Sequence, residues 1–507
     1  MSDASRDARD AALAATGVAG LDDILGGGLT PDRLYLVEGS PGSGKTTLAL
    51  QYLFEGRRRG EPVLYVTLSE TAAELAAVAR SHGWTLDGVH VLELVAPESE
   101  LEPGSQYGMF HPSEVELGEP TRAVLAEVGR IRPARVVIDS LSELRLLAQS
   151  PLRYRRQILA LKQFFIGREC TVFLLDDLTS GAEDLQLQSI VHGVISLERL
   201  SPEYGADRRR LRITKLRGQQ YRGGYHDFAI RPGGLAVFPK LVASEHLRPH
   251  EPGLLASGNP EFDAMLGGGI PYGTSTLLLG PAGTGKSTTS LQYARAAAER
   301  GEHAIVFAFD ERVETLLSRT AGLGMDISRH VQEGRIGLRC VDAAELSPGE
   351  FAHIVRAAVE GEGGAPGARV VVIDSLNGYL QAMPEERFLQ AQLHELLTYL
   401  GHRGVATFLV VAQHGLIGNM QTPVDTTYLA DAVVLYRYFE ADGELRQAVS
   451  VVKKRNGPHE RTIRELTIGP GGLRLGPPLK GFQGVLTGVP VDTGAACSST
   501  RGGSGDG

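Results

Sequence analysis

Short, mostly apolar runs recur in the same order in the two halves of the chain. In the first half they occupy residues 34–37, 63–68, 135–138 and 171–175, and in the second residues 276–279, 304–309, 370–373 and 407–411. An apolar run without polar alternation is typical of a strand buried on both faces of a parallel sheet. Helix-like segments separate the runs, and each half closes with segments that resemble antiparallel strands. The pattern predicts an α/β fold with two successive domains, each a mostly parallel sheet flanked by helices.

A constant offset relates the two halves. Residues 16–29 (TGVAGLDDILGGGL) return as residues 257–270 (SGNPEFDAMLGGGI), an offset of 241 positions. The glycine-rich segments at residues 39–46 and 280–287 are separated by the same 241 positions, which indicates that a whole domain has been duplicated. We predict a flexible leader at 1–13, a first domain at 14–244, a linker at 245–255, a second domain at 256–490 and a disordered tail at 491–507.

The repeated segments GSPGSGKT (39–46) and GPAGTGKS (280–287) both match the P-loop pattern GxxxxGK[ST] between a strand and a helix. Glycines let backbone N–H groups turn towards a phosphate, and the following helix adds its positive N-terminal end. Lys45 and Lys286 supply a charge for the β- and γ-phosphates. A glycine-rich turn is the alternative, but two matches in the same context argue against chance. The predicted ATP-binding residues are Ser40, Gly42, Ser43, Gly44, Lys45, Thr46, Thr47, Gly283, Thr284, Gly285, Lys286, Ser287 and Thr288.

An aspartate follows one buried strand in each half. Asp139 and Asp374 end the runs RVVID and VVVID, at a carboxyl edge of the predicted sheet. A helix cap is the alternative, but an upstream P-loop in each half favours the Walker B role. We therefore predict that Asp139 and Asp374, with the hydroxyls of Thr46 and Ser287, hold Mg²⁺. Asp176-Asp177 follows a further strand of the first half, and the sequence assigns it no clear role.

Composition limits the remaining classes of function. The net charge is −9 and the isoelectric point is about 5.9, which argues against a protein whose main task is to coat nucleic acid. The three cysteines match no metal or redox spacing, and no apolar run approaches the ~20 residues of a membrane span. We expect a cytoplasmic protein without a membrane segment.

Taken together, these motifs resemble the KaiC family of the RecA superfamily over roughly residues 14–490. The resemblance rests on the Gly-rich entry segment, the P-loop, a glutamate after the second strand, Walker B and a Lys-x-Arg pair, in this order in both halves. It implies tandem RecA-like P-loop domains in a double-ring homohexamer, with ATP between neighbouring subunits. It also implies that the first domain is mainly an ATPase and that the second is an ATPase and a Ser/Thr autokinase.

The resemblance also assigns catalytic residues. Glu70 and Glu311 correspond to glutamates that activate the attacking water or hydroxyl. Members of the clock type have two adjacent glutamates here, whereas this chain has Ser69 and Asp310 at the first position. Asp310 keeps a carboxylate that can accept a proton, and Ser69 cannot be an ionised base.

The Lys-x-Arg pairs have a second implied role. They correspond to residues that reach the γ-phosphate of the neighbouring subunit, where a cation stabilises the charge developing in phosphoryl transfer. A solvated pair on an edge strand is the alternative. The residues concerned are Lys215, Arg217, Lys453 and Arg455.

The phosphoacceptor is assigned by alignment on Asp431, without gaps. Thr427 and Tyr428 then stand where clock members carry adjacent Ser and Thr, so Thr427 is the candidate, with Thr426 as its neighbour. The alternative is that both threonines begin a helix. Partners of the KaiB-like or histidine kinase type follow from the same resemblance.

Two other functions compete with this interpretation. One is a RecA/RadA-like DNA-dependent ATPase, which requires basic loops after Walker B that the sequence does not offer convincingly. The other is a second domain that only binds ATP and scaffolds a signalling complex.

Overall fold

The computed structural model divides the chain into two compact units, Met1–Lys240 and Leu241–Gly507. It describes residues 13–94, 112–178, 185–203, 205–342, 344–361, 364, 366–381, 388–413, 427–487 and 491–492. None of the described helices is long and apolar enough to cross a membrane.

The first unit is built on one nine-stranded sheet. Its strands are β1 (Leu34–Gly39), β2 (Val63–Thr67), β3 (His90–Glu93), β4 (Arg135–Asp139), β5 (Thr171–Asp176), β6 (Gly193–Leu200), β7 (Arg208–Leu216), β8 (His226–Arg231) and β9 (Gly234–Phe238). Its helices are α1 (Ala19–Ile24), α2 (Lys45–Arg58), α3 (Ala72–Ser81), α4 (Pro112–Ile131), α5 (Leu141–Ala148), α6 (Pro151–Phe165) and α7 (Leu185–Ile190). The strand order is β3-β2-β4-β5-β1-β6-β7-β8-β9. Neighbours from β3 to β6 are parallel, and those from β6 to β9 are antiparallel.

The second unit repeats this topology. Its strands are β10 (Leu254–Leu255), β11 (Ile270–Pro271), β12 (Ser275–Gly280), β13 (Ala304–Ala308), β14 (Ile336–Cys340), β15 (Val370–Asp374), β16 (Ala406–Ala412), β17 (Ala432–Ala441), β18 (Glu444–Lys454), β19 (Arg464–Gly469), β20 (Gly472–Pro478), β21 (Phe482–Gln483) and β22 (Val491–Asp492). Its helices are α8 (Pro260–Met265), α9 (Lys286–Glu299), α10 (Val313–Gly322), α11 (Ser328–Gln332), α12 (Pro348–Glu360), α13 (Leu376–Gln381) and α14 (Leu389–His402). The main sheet has the order β14-β13-β15-β16-β12-β17-β18-β19-β20. The predicted fold class is confirmed.

Burial on both faces explains the uninterrupted apolar runs. Every residue of β1, β2, β4 and β5 is buried. Alternate side chains of β1 enter different cores: Tyr35 and Val37 pack on one face of the sheet, and Leu34 and Leu36 on the other. A strand that fills two cores has no polar side to present, so the pattern lacks the alternation of a half-exposed strand.

The parallel strands bring several candidate residues to the same end of each sheet, where the carboxyl ends of the strands meet. Strand β5 lies between β1 and β4, so the carboxyl ends of β1, β4 and β5 are neighbours. The loop from β1 to α2 passes over this end. Gly39 allows the close approach, because a Cβ atom there would lie 2.5 Å from the carbonyl oxygen of Leu197.

The first unit contains an ion pair between a buried arginine and a partly exposed glutamate. Arg135 begins β4, is only 1% exposed, and donates to Glu61 Oε2 at 2.5 Å and to the carbonyl oxygens of Ala15 (2.7 Å) and Tyr52 (3.0 Å). In the second unit, Val370 begins the equivalent strand β15.

We expect Arg135→Ala to lower the free energy of unfolding of the first unit by about 3 kcal/mol, because Glu61 and two carbonyl groups lose their donor. Urea denaturation followed by circular dichroism measures this change. The matched control is Arg130→Ala, which breaks an exposed pair with Glu127 and should leave stability nearly unchanged. Equal losses in the two variants would contradict the buried-pair interpretation.

Candidate functional site

The first P-loop connects β1 to α2 through residues in a left-handed backbone conformation. Gly42 and Gly44 have φ angles of 75° and 102°, which glycine adopts without strain. No side chain caps α2 at Gly44. The Lys45 ammonium is 6% exposed and donates to the carbonyl oxygens of Gly39 (2.8 Å) and Ser40 (3.1 Å). The buried Ser43 hydroxyl has no hydrogen-bond partner, so this cradle retains polar groups that fit a phosphate.

The second P-loop repeats this geometry between β12 and α9. Gly283 and Gly285 have φ angles of 79° and 95°, and no side chain caps α9 at Gly285. Lys286 Nζ donates to the carbonyl oxygen of Pro281 at 2.5 Å. Burial lowers the pKa of Lys286 to about 8, although the charge of Asp374 acts in the opposite direction. An anionic ligand would therefore be expected to favour the charged form of this lysine.

The predicted metal residues come together in each half. The Thr46 hydroxyl donates to Asp139 Oδ2 at 3.2 Å, and the Tyr65 hydroxyl donates to the same oxygen at 2.5 Å. Burial raises the pKa of Asp139, because the charged form loses hydration. In the second half, burial likewise raises the pKa of Asp374, while a hydrogen bond from Ser287 lowers it. A hydroxyl beside a carboxylate supplies the hard oxygen ligands that Mg²⁺ prefers, so these residues fit the ion.

The two candidate catalytic glutamates have different surroundings. Burial is the main cause that raises the pKa of Glu70, and the nearby carboxylates of Asp139, Glu74 and Asp177 add to it. Glu70 Oε2 is buried without a hydrogen-bond partner, while Thr67 holds the Glu70 backbone through bonds of 2.7 and 3.0 Å. This carboxylate is therefore positioned by its backbone and retains a buried oxygen that can accept a proton.

In the second half, an arginine pairs with the glutamate. Arg319 donates from Nη2 to Glu311 Oε2 at 2.7 Å and from Nε to Oε1 at 3.1 Å, and its Nη1 lies 3.4 Å from Thr288 Oγ1. Val78 occupies the position of Arg319 in the first half, at the same offset of 241 residues. No sequence pattern pointed to Arg319, because Glu311 precedes α10 and the arginine follows it by eight positions, beyond the spacings of three and four at which helical side chains meet.

Asp310 also has a partner of its own. The Ser375 hydroxyl, which directly follows Asp374, donates to Asp310 Oδ2 at 2.5 Å. Ser69, at the equivalent position of the first half, is exposed and carries no carboxylate.

Asp177 is a residue to which the sequence alone assigned no role. Its Oδ1 lies 2.8 Å from Lys45 Nζ, and its backbone N–H donates to the Ser142 hydroxyl at 3.3 Å. Burial tends to raise the pKa of Asp177, but the hydrogen bond and charge of Lys45 outweigh it, so the net pKa is lowered. The sequence shows a charged residue directly after a buried strand. The contact of Asp177 with Lys45, however, depends on β5 lying beside β1, which the sequence does not state.

The Lys-x-Arg pairs lie towards the opposite end of each sheet, where the parallel strands begin. In the sheet register, Lys215 lies opposite Val194, and Lys453 lies opposite Val433. These valines are level with residues three positions before the P-loop of the same half, which is a distance of about 10 Å along the strand. Lys215 Nζ donates to the Val191 carbonyl oxygen (2.8 Å), and Lys453 Nζ to the carbonyl oxygens of Ala430 (2.8 Å) and Thr427 (2.9 Å). The structure therefore does not bring these lysines to the P-loop of the same half.

The arginines of these pairs make similar contacts. Arg217 donates to the Ser189 carbonyl oxygen at 2.9 Å, and Arg455 donates to the Tyr428 carbonyl oxygen at 3.0 Å. Arg455 also forms a 3.4 Å ion pair with Asp431.

The candidate phosphoacceptor lies at this opposite end as well. Thr427 is half-buried in a turn that precedes β17, beside Lys453. Its side chain is therefore remote from the P-loop of its own half. Thr426 lies outside the described residues.

Comparisons with known proteins identify the family. A family model described as the KaiC ATPase matches residues 14–242 and again residues 255–480. Similar proteins include the circadian clock protein KaiC3 of Synechocystis sp., 27% identical over 497 residues and covering 94% of both chains. The circadian clock oscillator protein KaiC of Parasynechococcus marenigrum is 26% identical over 490 residues, covering 94% of this chain and 92% of its own. That of Picosynechococcus sp. is 27% identical over 483 residues, covering 94% and 91%. Because the family model matches most of its length in two copies, the chain belongs to the KaiC ATPase family.

Proposed function

We propose that each half of this KaiC-family ATPase binds and hydrolyses Mg²⁺-ATP, and that the second half is also a Ser/Thr autokinase. One observation carries the proposal: a P-loop lysine, a hydroxyl–carboxylate pair and a glutamate meet at one end of the sheet in both units. These are the groups that phosphoryl transfer needs for positioning and charge stabilisation.

The residues divide the work as follows. The P-loop N–H groups and Lys45 or Lys286 bind the phosphates, and the pairs Thr46–Asp139 and Ser287–Asp374 hold the metal ion. When bound, Mg²⁺ neutralises charge that develops on the β- and γ-phosphate oxygens. Glu70 and Glu311 accept the proton of the attacking water or hydroxyl. Asp310 is a second acceptor in the kinase site.

We further propose that the chain acts as a homohexamer with ATP between subunits. Lys453, Arg455 and Thr427 lie together at the end of the sheet opposite to their own P-loop, so a neighbouring subunit is the simplest route to a nucleotide. In such a ring, one contact would bring both the cations and the phosphoacceptor to the neighbour's γ-phosphate, and Lys215 and Arg217 would act likewise in the first layer.

The names of the relatives, which are circadian clock proteins, extend the proposal to a clock-type or signalling module, for which we propose a cytoplasmic location. Signalling partners of the KaiB-like or histidine kinase type belong to this part of the proposal. A DNA-dependent motor has less support. Arg145, just after Walker B, is already paired with the buried Asp176 at 2.7 Å, and the net charge is −9.

We expect Glu70→Gln to reduce ATP hydrolysis by about 10²–10⁴-fold in an Asp310→Asn/Glu311→Gln background, because the last of the three proposed proton acceptors is lost. A coupled phosphate-release assay measures the rate. In the Asp310→Asn/Glu311→Gln protein, kcat/KM should fall as pH decreases through a value above the pKa of an ordinary glutamate, because burial raises the pKa of Glu70.

The matched control is Glu127→Gln, which removes a carboxylate from α4 of the first unit and should leave the rate within about threefold. An unchanged rate in Glu70→Gln would contradict the role of this glutamate.

We expect phosphate to appear on Thr427 or Thr426 after incubation with Mg²⁺-ATP, and to disappear in Glu311→Gln. Intact-mass and phosphopeptide analysis measures the modification. Glu70→Gln is the control, since it should retain the phosphate while first-half hydrolysis is lost. Hydrolysis without any phosphopeptide would remove the autokinase from the proposal and leave the ring ATPase.

A further inference from the structure

The P-loop lysine of the first half forms an ion pair with a carboxylate, and the equivalent position of the second half carries no carboxylate. Lys45 Nζ lies 2.8 Å from Asp177 Oδ1, and Lys45 is only 6% exposed. Asp177 follows β5, the strand that lies between β1 of the P-loop and β4 of Asp139. Asp177 therefore lies at the end of the strand between those that lead to the lysine and to the metal-binding aspartate, and its charge acts on both Lys45 and Asp139.

The second half offers a matched position. Leu34 and Ser275 are equivalent residues of the two P-loop strands, separated by 241 positions. Val172 lies opposite Leu34 in the sheet and Thr407 lies opposite Ser275, so Val172 and Thr407 are equivalent as well. Ala412 then stands at the position of Asp177. The backbone hydrogen bonds at the two positions are also equivalent: the Asp177 N–H donates to the Ser142 hydroxyl, and the Ala412 N–H donates to Asn377 Oδ1 at 2.7 Å. The two sites thus differ here by one carboxylate on a similar backbone.

A nucleoside triphosphate must share Lys45 with Asp177 or break this ion pair. Either choice is unfavourable, because a partly buried charge is weakly screened by water and salt. The γ-phosphate would be the most affected group, since the P-loop lysine and the Walker B aspartate act on the terminal phosphates and their metal ion. A diphosphate places its charge closer to the loop N–H groups and α2, and should be affected less.

We propose that Asp177 is a specificity-determining residue of the first site, which weakens its binding of nucleoside triphosphate relative to diphosphate. The two sites of one chain are then unequal, and the second binds ATP more tightly. This inference rests on the proposed function, namely nucleotide binding at both P-loops.

The test uses the full chain and measures equilibrium binding of Mg²⁺-AMP-PNP and Mg²⁺-ADP by calorimetry. A Lys286→Ala background isolates the first site, and a Lys45→Ala background isolates the second. In the first background, Asp177→Asn should tighten AMP-PNP binding by about tenfold or more and ADP binding by less than about threefold. In the second background, Ala412→Asp should weaken AMP-PNP binding by about tenfold.

The control is Glu127→Gln on α4, which removes the same charge from the first unit away from the P-loop and should change neither affinity. Asp177→Asn keeps the shape of the side chain, and the Ala412→Asp arm tests the same idea in the other unit if one variant does not fold. Weaker AMP-PNP binding in Asp177→Asn would overturn the inference and make Asp177 a metal ligand or a support of Lys45. Unchanged affinities in both arms would also overturn it. Absence of nucleotide binding at both sites of the wild-type chain would instead reject the proposed function.

Discussion

The structure depends on the parallel pairing of the P-loop strand with its two neighbours. Strand β1 pairs with β5 and β6, and β12 pairs with β16 and β17, all in parallel register. This pairing fixes which residues can meet. The residues that follow the carboxyl ends of the parallel strands gather at one end of the sheet. The Lys-x-Arg pairs lie towards the other end, where these strands begin. The division of the candidate machinery between two ends is therefore a property of the sheet, and it underlies the proposal that neighbouring subunits complete each site.

The same backbone supports two electrostatically different sites. In the first, a tyrosine donates to Asp139, a carboxylate neutralises Lys45, and Glu70 keeps a buried oxygen without a partner. In the second, Val306 replaces the tyrosine, Ala412 replaces the carboxylate, and Arg319 binds Glu311 through two hydrogen bonds. None of these exchanges alters the strand order. Duplication thus preserved the phosphate cradle and changed the charges around it, which is how two copies of one domain can acquire different tasks.

Much of this arrangement could be predicted from the sequence because it is local. The P-loops and the aspartates Asp139 and Asp374 are marked by motifs a few residues long, and the buried strands by their uninterrupted apolar runs. Asp177 was visible as an aspartate after a strand, but its contact with Lys45 depends on a strand order that the sequence does not state. Lys215 and Lys453 were predicted from recurrence and resemblance, which carry no information about the backbone carbonyl groups that accept their hydrogen bonds. Contacts between residues distant in the chain require the fold, whereas spacing motifs do not.

We propose that both P-loops of one chain bind ATP. An experimental structure of the full chain, determined with saturating Mg²⁺ and AMP-PNP, tests it most directly. We expect two nucleotides per chain, with phosphate oxygens within hydrogen-bond distance of Lys45 Nζ and of Lys286 Nζ, and a metal ion beside Thr46 and beside Ser287. A structure at saturation in which either P-loop holds no nucleotide, or holds it away from its lysine, would contradict nucleotide binding at both sites.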